Sequence, residues 1–181
     1  MIIDREPRRD EFVRVGDLML RVARRGSGPP LLLINGIGAP IEMWEPLARR
    51  LDGRELITFD LPGSGQSRPP AAPMRMSGFA RVVLGLLDAL GQQRVDVLGY
   101  SFGGLVAQEL ARRAPARVRR LVLCATAAGV PSVPASPVAA ALMLTPLRYY
   151  SRPLGAWIVP RIAGGRTARD AAALNRDLRF R

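Results

Sequence analysis

The six residues Gly99-Tyr100-Ser101-Phe102-Gly103-Gly104 constrain this chain more than any other stretch. They follow an apolar run, Val95-Asp96-Val97-Leu98, and open a segment of helical spacing, Leu105-Val106-Ala107-Gln108-Glu109-Leu110-Ala111. A strand can turn into a helix this abruptly only where the flanking positions lack bulk, and glycines stand at those positions. Such a turn lifts the serine hydroxyl clear of the sheet. It also places it at a helix N-terminus, where the exposed N–H groups favour developing negative charge. In a strand–turn–helix context, G-x-S-x-G is the arrangement that presents a serine nucleophile. An absence works against this reading: the chain contains no histidine. A serine hydroxyl is a weak nucleophile unless an adjacent base takes its proton, and that base is usually His.

The remaining composition narrows the class. With 181 residues, 48% of them hydrophobic, the chain can bury a sizeable core, and one domain with an appendage is expected. Cys124 is the only cysteine, which excludes a disulfide framework and a cysteine-based metal site. Without His, zinc chemistry is nearly excluded too. Met1 to Pro7 is polar and charged and lacks the apolar core of a signal peptide. The longest apolar stretch, Val138 to Leu147, is interrupted by Thr145 and Pro146 and is too short to span a bilayer. A soluble, cytoplasmic protein is the expectation. The net charge is +12 and all 27 basic residues are arginine, which raises nucleic acid as a partner. The arginines fall in scattered pairs such as Arg24-Arg25, Arg49-Arg50 and Arg112-Arg113, at the ends of predicted elements, and form no stripe interleaved with aromatics. A nucleic-acid partner is therefore not expected.

Along the chain, Phe12–Val15 and Leu18–Val22 flank the turn pair Gly16-Asp17 and read as a β-hairpin. Leu31-Leu32-Leu33-Ile34 is a continuous apolar run, as expected of a strand buried on both faces, and Leu56-Ile57-Thr58-Phe59 reads as the next buried strand. Met43 to Leu51 has helical spacing, with Trp44, Leu47 and Leu51 on one side. Phe79 to Leu90 reads as a helix capped by Gly91, and Leu105 to Ala114 as one stopped before Pro115. Val118 to Ala125 is a further strand, on which Cys124 is expected to be a small core residue. Alternating strands and helices after a hairpin imply an α/β fold with a mostly parallel sheet. In such sheets chemistry sits beyond the carboxyl ends of the strands. Ser101, Asn35-Gly36 and Asp60 all fall there. Asp60 itself reads as a loop residue whose carboxylate caps nearby N–H groups. From Gly129 onward the chain becomes proline-rich, with Met143, Leu144, Tyr149, Tyr150 and Trp157 supplying apolar surface. It reads as the start of a helical lid, giving a boundary between residues 1–128 and 129–181.

Taken together, these residues resemble the α/β-hydrolase superfamily. The matching features are Asn35-Gly36-Ile37-Gly38 after the first buried strand, Asp60-x-Pro62-Gly63-x-Gly65-x-Ser67 after the second, and Gly99-x-Ser101-x-Gly103-Gly104. Within the superfamily, further stretches resemble the bacterial intracellular poly(3-hydroxyalkanoate) depolymerases: Ala39 after the first motif, Ala125-Thr126-Ala127-Ala128-Gly129, Val133-Pro134, Thr145-Pro146-Leu147-Arg148-Tyr149-Tyr150, and Pro160-x-Ile162-x-Gly164-Gly165.

The resemblance implies that Ser101 attacks an ester carbonyl, with backbone N–H groups of Phe102 and Ile37 as the oxyanion hole. Asn35, standing where many relatives have His, is expected to shape its loop. The resemblance implies an ester or polyester substrate, met at a polyhydroxyalkanoate granule surface, and no metal or organic cofactor, since a serine triad needs none; the oligomeric state is not read from the residues. In these enzymes the acid and then the His follow the serine in the chain. Here the only carboxylates after Ser101 are Glu109, Asp170 and Asp177, and Glu109 is expected to point away. The family's sheet continues after the lid, so the resemblance implies that this chain is an N-terminal fragment with an incomplete sheet, an unpaired edge and exposed apolar surface. Two other readings stand beside it. One is a different α/β-hydrolase activity: esterase, lactonase, C–C bond hydrolase or cofactor-free haloperoxidase. A haloalkane dehalogenase is disfavoured because its elbow needs a carboxylate. The other is a non-catalytic binding remnant that keeps the elbow as scaffold.

Overall fold

The computed structural model describes residues 8–127, which lie within one compact unit, Met1–Val130. The expected lid, with Tyr149, Tyr150, Trp157, Asp170 and Asp177, lies outside the described residues.

The chain begins with β1 (Arg9–Val15) and β2 (Leu18–Arg25), paired antiparallel from Val15↔Leu18 to Arg9↔Arg24. The hairpin read from Gly16-Asp17 is therefore present, with both strands longer than their apolar residues suggested. Four more strands follow: β3 (Pro30–Ile34), β4 (Glu55–Phe59), β5 (Val95–Tyr100) and β6 (Val118–Cys124). Among the described residues six strands form one sheet in the order β1-β2-β4-β3-β5-β6. β2 joins β4 antiparallel, and the pairs β4–β3, β3–β5 and β5–β6 are parallel. This is the mostly parallel α/β sheet with an N-terminal hairpin that the sequence implied.

Among the described residues α2 (Met76–Ala89) and α3 (Phe102–Arg113) cover one face, after a short α1 (Glu45–Ala48) on the way. α2 buries Ala80, Val82, Val83, Leu86 and Leu87, a stripe at three- and four-residue spacing. Against it lie alternate strand residues, Leu20 and Val22, Leu32 and Ile34, Ile57 and Phe59, Val95 and Val97, joined by Val106, Ala107 and Leu110 of α3. Leu86, Leu87 and Phe59 are fully buried, each stabilising the fold by about 1.5–3 kcal/mol. Ala23, Leu56 and Thr58 alternate to the other face, under Ile41, Trp44 and Ala48.

Two expectations need correction. The helical segment read from Met43 to Leu51 is mostly not α-helix: a 3₁₀ turn, Ile41–Trp44, runs into the four-residue α1, which ends at Ala48. Pro46, without an N–H, fits only the first turn of a helix. The Arg50 N–H then bonds Leu47 O at 2.9 Å, an i→i+3 closure that tightens the chain out of the helix. Cys124 is not a core residue: it is exposed. Among the described residues β6 is bonded to β5 alone and forms the sheet edge. Leu121, Val122 and Leu123 are 37%, 51% and 42% exposed, so both faces of this apolar strand are partly open to solvent. An unpaired apolar edge was the expectation; the expectation for Cys124 failed because it took the strand for an interior one.

Candidate active site

The strand order reverses at β3: the chain moves from β3 to β4 on one side and then to β5 on the other. The crevice outside the carboxyl ends of β3 and β5 is the place where such sheets bind ligands. Both site motifs open there, Asn35–Gly38 after β3 and Ser101 after β5.

Ser101 has φ 53° and ψ −119°, a backbone conformation that L residues rarely adopt. Holding it costs about 1–3 kcal/mol, which surrounding structure must offset. Several contacts do so. The Ser101 N–H donates to Cys124 O at 2.9 Å, and the Gly104 N–H donates back to Ser101 O at 2.9 Å. Gly99 and Gly103 allow the elbow to close: a Cβ on Gly99 would fall 2.6 Å from Gly104 Cα, and one on Gly103 would fall 2.6 Å from the Ile34 carbonyl carbon. The Phe102 ring meets Phe79 of α2 edge-on, centroids 5.2 Å apart, fixing the start of α3 against its neighbour. As the first residue of α3, Phe102 presents an N–H with no acceptor in its own helix.

The segment after β3 runs alongside. A Cβ on Gly36 would come 3.5 Å from Ser101 Cβ and 3.4 Å from Tyr100 Cδ1. The Ala39 N–H donates to Gly36 O at 3.2 Å, closing a four-residue turn whose third residue, Gly38, has φ +73°. Ile37, the second residue, does not have positive φ, so the turn is type II, which favours glycine at its third position. Asn35 is fully buried and shapes this turn, as expected: its Nδ2 donates to Ala39 O at 2.9 Å and its Oδ1 accepts from Trp44 Nε1. Ile37 and Tyr100 are 50% and 37% exposed and give the crevice apolar flanks.

Asp60, at the end of β4, is fully buried and caps N–H groups as the sequence suggested. Its Oδ1 accepts from Ile41 N and its Oδ2 from Gln66 N, both at 2.8 Å. Burial pushes its carboxyl above the usual 3.8, opposed by those two N–H groups and by Arg21, whose Nη1 lies 3.8 Å away. Glu109 is engaged along its own helix. Arg112 and then Arg113 hold it in ion pairs on α3 and lower its carboxyl to about 2. Among the described residues no three His, Cys, Asp or Glu side chains gather to hold a metal ion, and no helix is long and apolar enough to cross a membrane. Sequence reasoning missed Ser64, whose hydroxyl accepts the Gly38 N–H at 3.1 Å. The only signal for it was its place between Gly63 and Gly65.

A sheet of this order, with a strained serine between β5 and α3 at its switch point, defines a hydrolase-type α/β protein. Residues 29–151 match the family model described as alpha/beta hydrolase fold, and the chain belongs to that family. It is 41% identical over 162 residues to a poly(3-hydroxyalkanoate) depolymerase of Ectopseudomonas oleovorans, covering 87% of this chain and 57% of that protein. It is 38% identical over 107 residues to a 2-hydroxymuconate semialdehyde hydrolase of Pseudomonas sp. strain CF600, covering 56% of this chain and 38% of the relative. Among solved structures, a bacterial membrane phospholipase A superposes with a TM-score of 0.66 at 34% identity, over 70% of this chain and 42% of that one. The 2-hydroxy-6-oxo-6-phenylhexa-2,4-dienoate hydrolase of Rhodococcus sp. strain RHA1 gives 0.69 at 26% identity, over 82% and 55%. The chain thus spans little more than half of the depolymerase's length, and less of the semialdehyde hydrolase's.

Proposed function

We propose that this chain carries the nucleophile and oxyanion hole of a serine hydrolase of carboxylic esters, with 3-hydroxyacyl esters and polyesters as the substrate class. The observation that carries the reading is the backbone of Ser101: strain of this kind persists only where structure over-determines it, and it clusters at reactive positions. In this mechanism Ser101 Oγ attacks the ester carbonyl, its proton passes to a base, and the C–O bond to the leaving alcohol breaks to give an acyl-serine. The N–H groups of Phe102 and Ile37 receive the developing oxyanion, and each is worth about 10²–10³ in rate. The substrate class follows the likeness to the depolymerase; the apolar flanks Ile37 and Tyr100 suit its alkyl chains. The base and its orienting acid are not supplied by these 181 residues, which hold no histidine. The chain by itself is therefore proposed to acylate slowly and not to turn over. The missing histidine also favours a second reading, an ester-binding protein without hydrolysis.

Exogenous imidazole separates the two. With p-nitrophenyl 3-hydroxybutyrate and imidazole, the chain is expected to gain one 3-hydroxybutyryl group, located at Ser101 by peptide mass spectrometry. Ser101→Ala is expected to lower adduct formation by at least about 10²-fold. An adduct that persists at the same rate in Ser101→Ala, or its absence from both proteins, would leave the binding reading in place.

A further inference from the structure

The type II turn beside Ser101 is pinned by a residue that the motif Asp60-x-Pro62-Gly63-x-Gly65-x-Ser67 leaves open, Ser64. Type I and type II turns differ in the orientation of their central peptide, here Ile37 C=O with Gly38 N–H. Its N–H is taken by Ser64 Oγ at 3.1 Å. The peptide before it joins Gly36 to Ile37. Peptide planarity sets the Ile37 N–H opposite Gly36 O, and that oxygen is held by Ala39 N. Among the described residues no acceptor takes the Ile37 N–H, which leaves it available to a ligand.

Ser64 is itself held firmly. It is 7% exposed; its N–H donates to Leu61 O at 2.8 Å, and its carbonyl accepts from Ser67 N at 3.0 Å. Ser67 Oγ donates to Asp60 O at 2.7 Å and accepts Arg21 N at 2.9 Å, tying this loop to β2 and β4. Asp60 clamps both loops at once through Ile41 N and Gln66 N, and Gly65 leaves room for its carboxylate, which any Cβ there would strike. The loop carrying Ser64 is thus fixed to the sheet, and Ser64 passes that rigidity to the turn.

We propose that Ser64 is a positioning residue of the oxyanion hole: by accepting the Gly38 N–H it holds the turn in its type II form and keeps the Ile37 N–H directed at the oxyanion. The inference rests on the ester-hydrolase reading above. Ser64 touches no substrate and acts only through the turn.

Phenylboronic acid provides the probe, since a serine oxygen bonds to its boron to give a tetrahedral adduct, the serine proton leaving to solvent. In the 181-residue chain, Ser64→Ala is expected to weaken boronate affinity about tenfold. It should also shift the Ile37 and Gly38 amide signals in ¹⁵N spectra and speed exchange of the Gly38 amide. Ser64→Thr, which keeps the hydroxyl, should restore all three. Unchanged amide signals in folded Ser64→Ala would overturn the proposal. So would shifted signals with unchanged boronate affinity, because the turn would then not govern the oxyanion donor. Should the parent chain form no boronate adduct at Ser101, the ester-hydrolase reading fails and the positioning role falls with it. The amide signals alone would then report whether Ser64 sets the turn.

Discussion

Gly103→Ala is expected to cost about 3 kcal/mol or more and to leave little folded protein. The added methyl would stand 2.6 Å from the Ile34 carbonyl carbon and nearer still to the carbonyl oxygens of Ile34 and Asn35. These are backbone atoms of β3 and of the residue beyond it, so no side-chain rotation relieves the clash. Either α3 lifts from the sheet or β3 shifts, and both break burial made by Val106, Ala107 and Leu110, each fully buried. Overpacking a core usually costs about 1–3 kcal/mol; the rigid partners put this case at the upper end or beyond. In a marginally stable domain a loss of that size is a large share of the total. Urea unfolding followed by circular dichroism measures it. A Gly103→Ala protein within about 1 kcal/mol of the parent would show that the helix is not seated on β3 as described.

The same close packing explains what was legible in the sequence. Gly99, Ser101, Gly103 and Gly104 were readable because one tight turn admits few residue types, and that constraint is local. The buried strands were readable for a similar reason: Leu31–Ile34 is apolar at every position and Leu56–Phe59 at every position but Thr58, and both became strands buried on two faces. Asp60 could be read as a cap because it follows a strand and precedes a glycine-rich loop. Ser64 could not, since its partner Gly38 lies 26 residues away and its own neighbours do not dictate a serine. Cys124 was misread because β6 has the composition of an interior strand, and composition does not report whether a neighbouring strand is present. The segment after Pro40 was misread as one helix because Trp44, Leu47 and Leu51 share a helical period, while the i→i+3 closure at Arg50 is decided by tertiary packing. Long-range ion pairs were equally invisible, and one of them governs stability at the far end of the sheet.

That pair is built on Asp96, near the start of β5 and so at the opposite end of this strand from Ser101. Asp96 is 5% exposed and accepts three hydrogen bonds: from Arg119 Nε at 2.7 Å, Arg119 Nη2 at 2.8 Å and Arg54 Nη2 at 2.6 Å. Arg54 also donates to Pro29 O and Pro30 O, so one carboxylate links the starts of β3, β4, β5 and β6. Arg119 first, and Arg54 with it, hold the Asp96 carboxyl well below its usual 3.8 despite burial. Removing one member of a buried ion pair costs about 3–5 kcal/mol, but the arginine side chains here are 22% and 40% exposed and regain water. Asp96→Asn is therefore expected to cost about 2 kcal/mol at neutral pH. The sign of its pH dependence is fixed: a depressed carboxyl pKa stabilises the fold above the unfolded value, near 4, and that contribution is lost as pH falls below it. Asp60, raised by burial, works in the opposite sense and loses its penalty on acidification. The gap between the parent and Asp96→Asn should thus narrow from pH 7 to pH 3 in urea unfolding. Because Asp96 lies away from the elbow, the folded variant should still acquire the Ser101 adduct at the parent's rate. A gap of equal size at both pH values would mean that the shape of this side chain, and not its charge, joins the four strands.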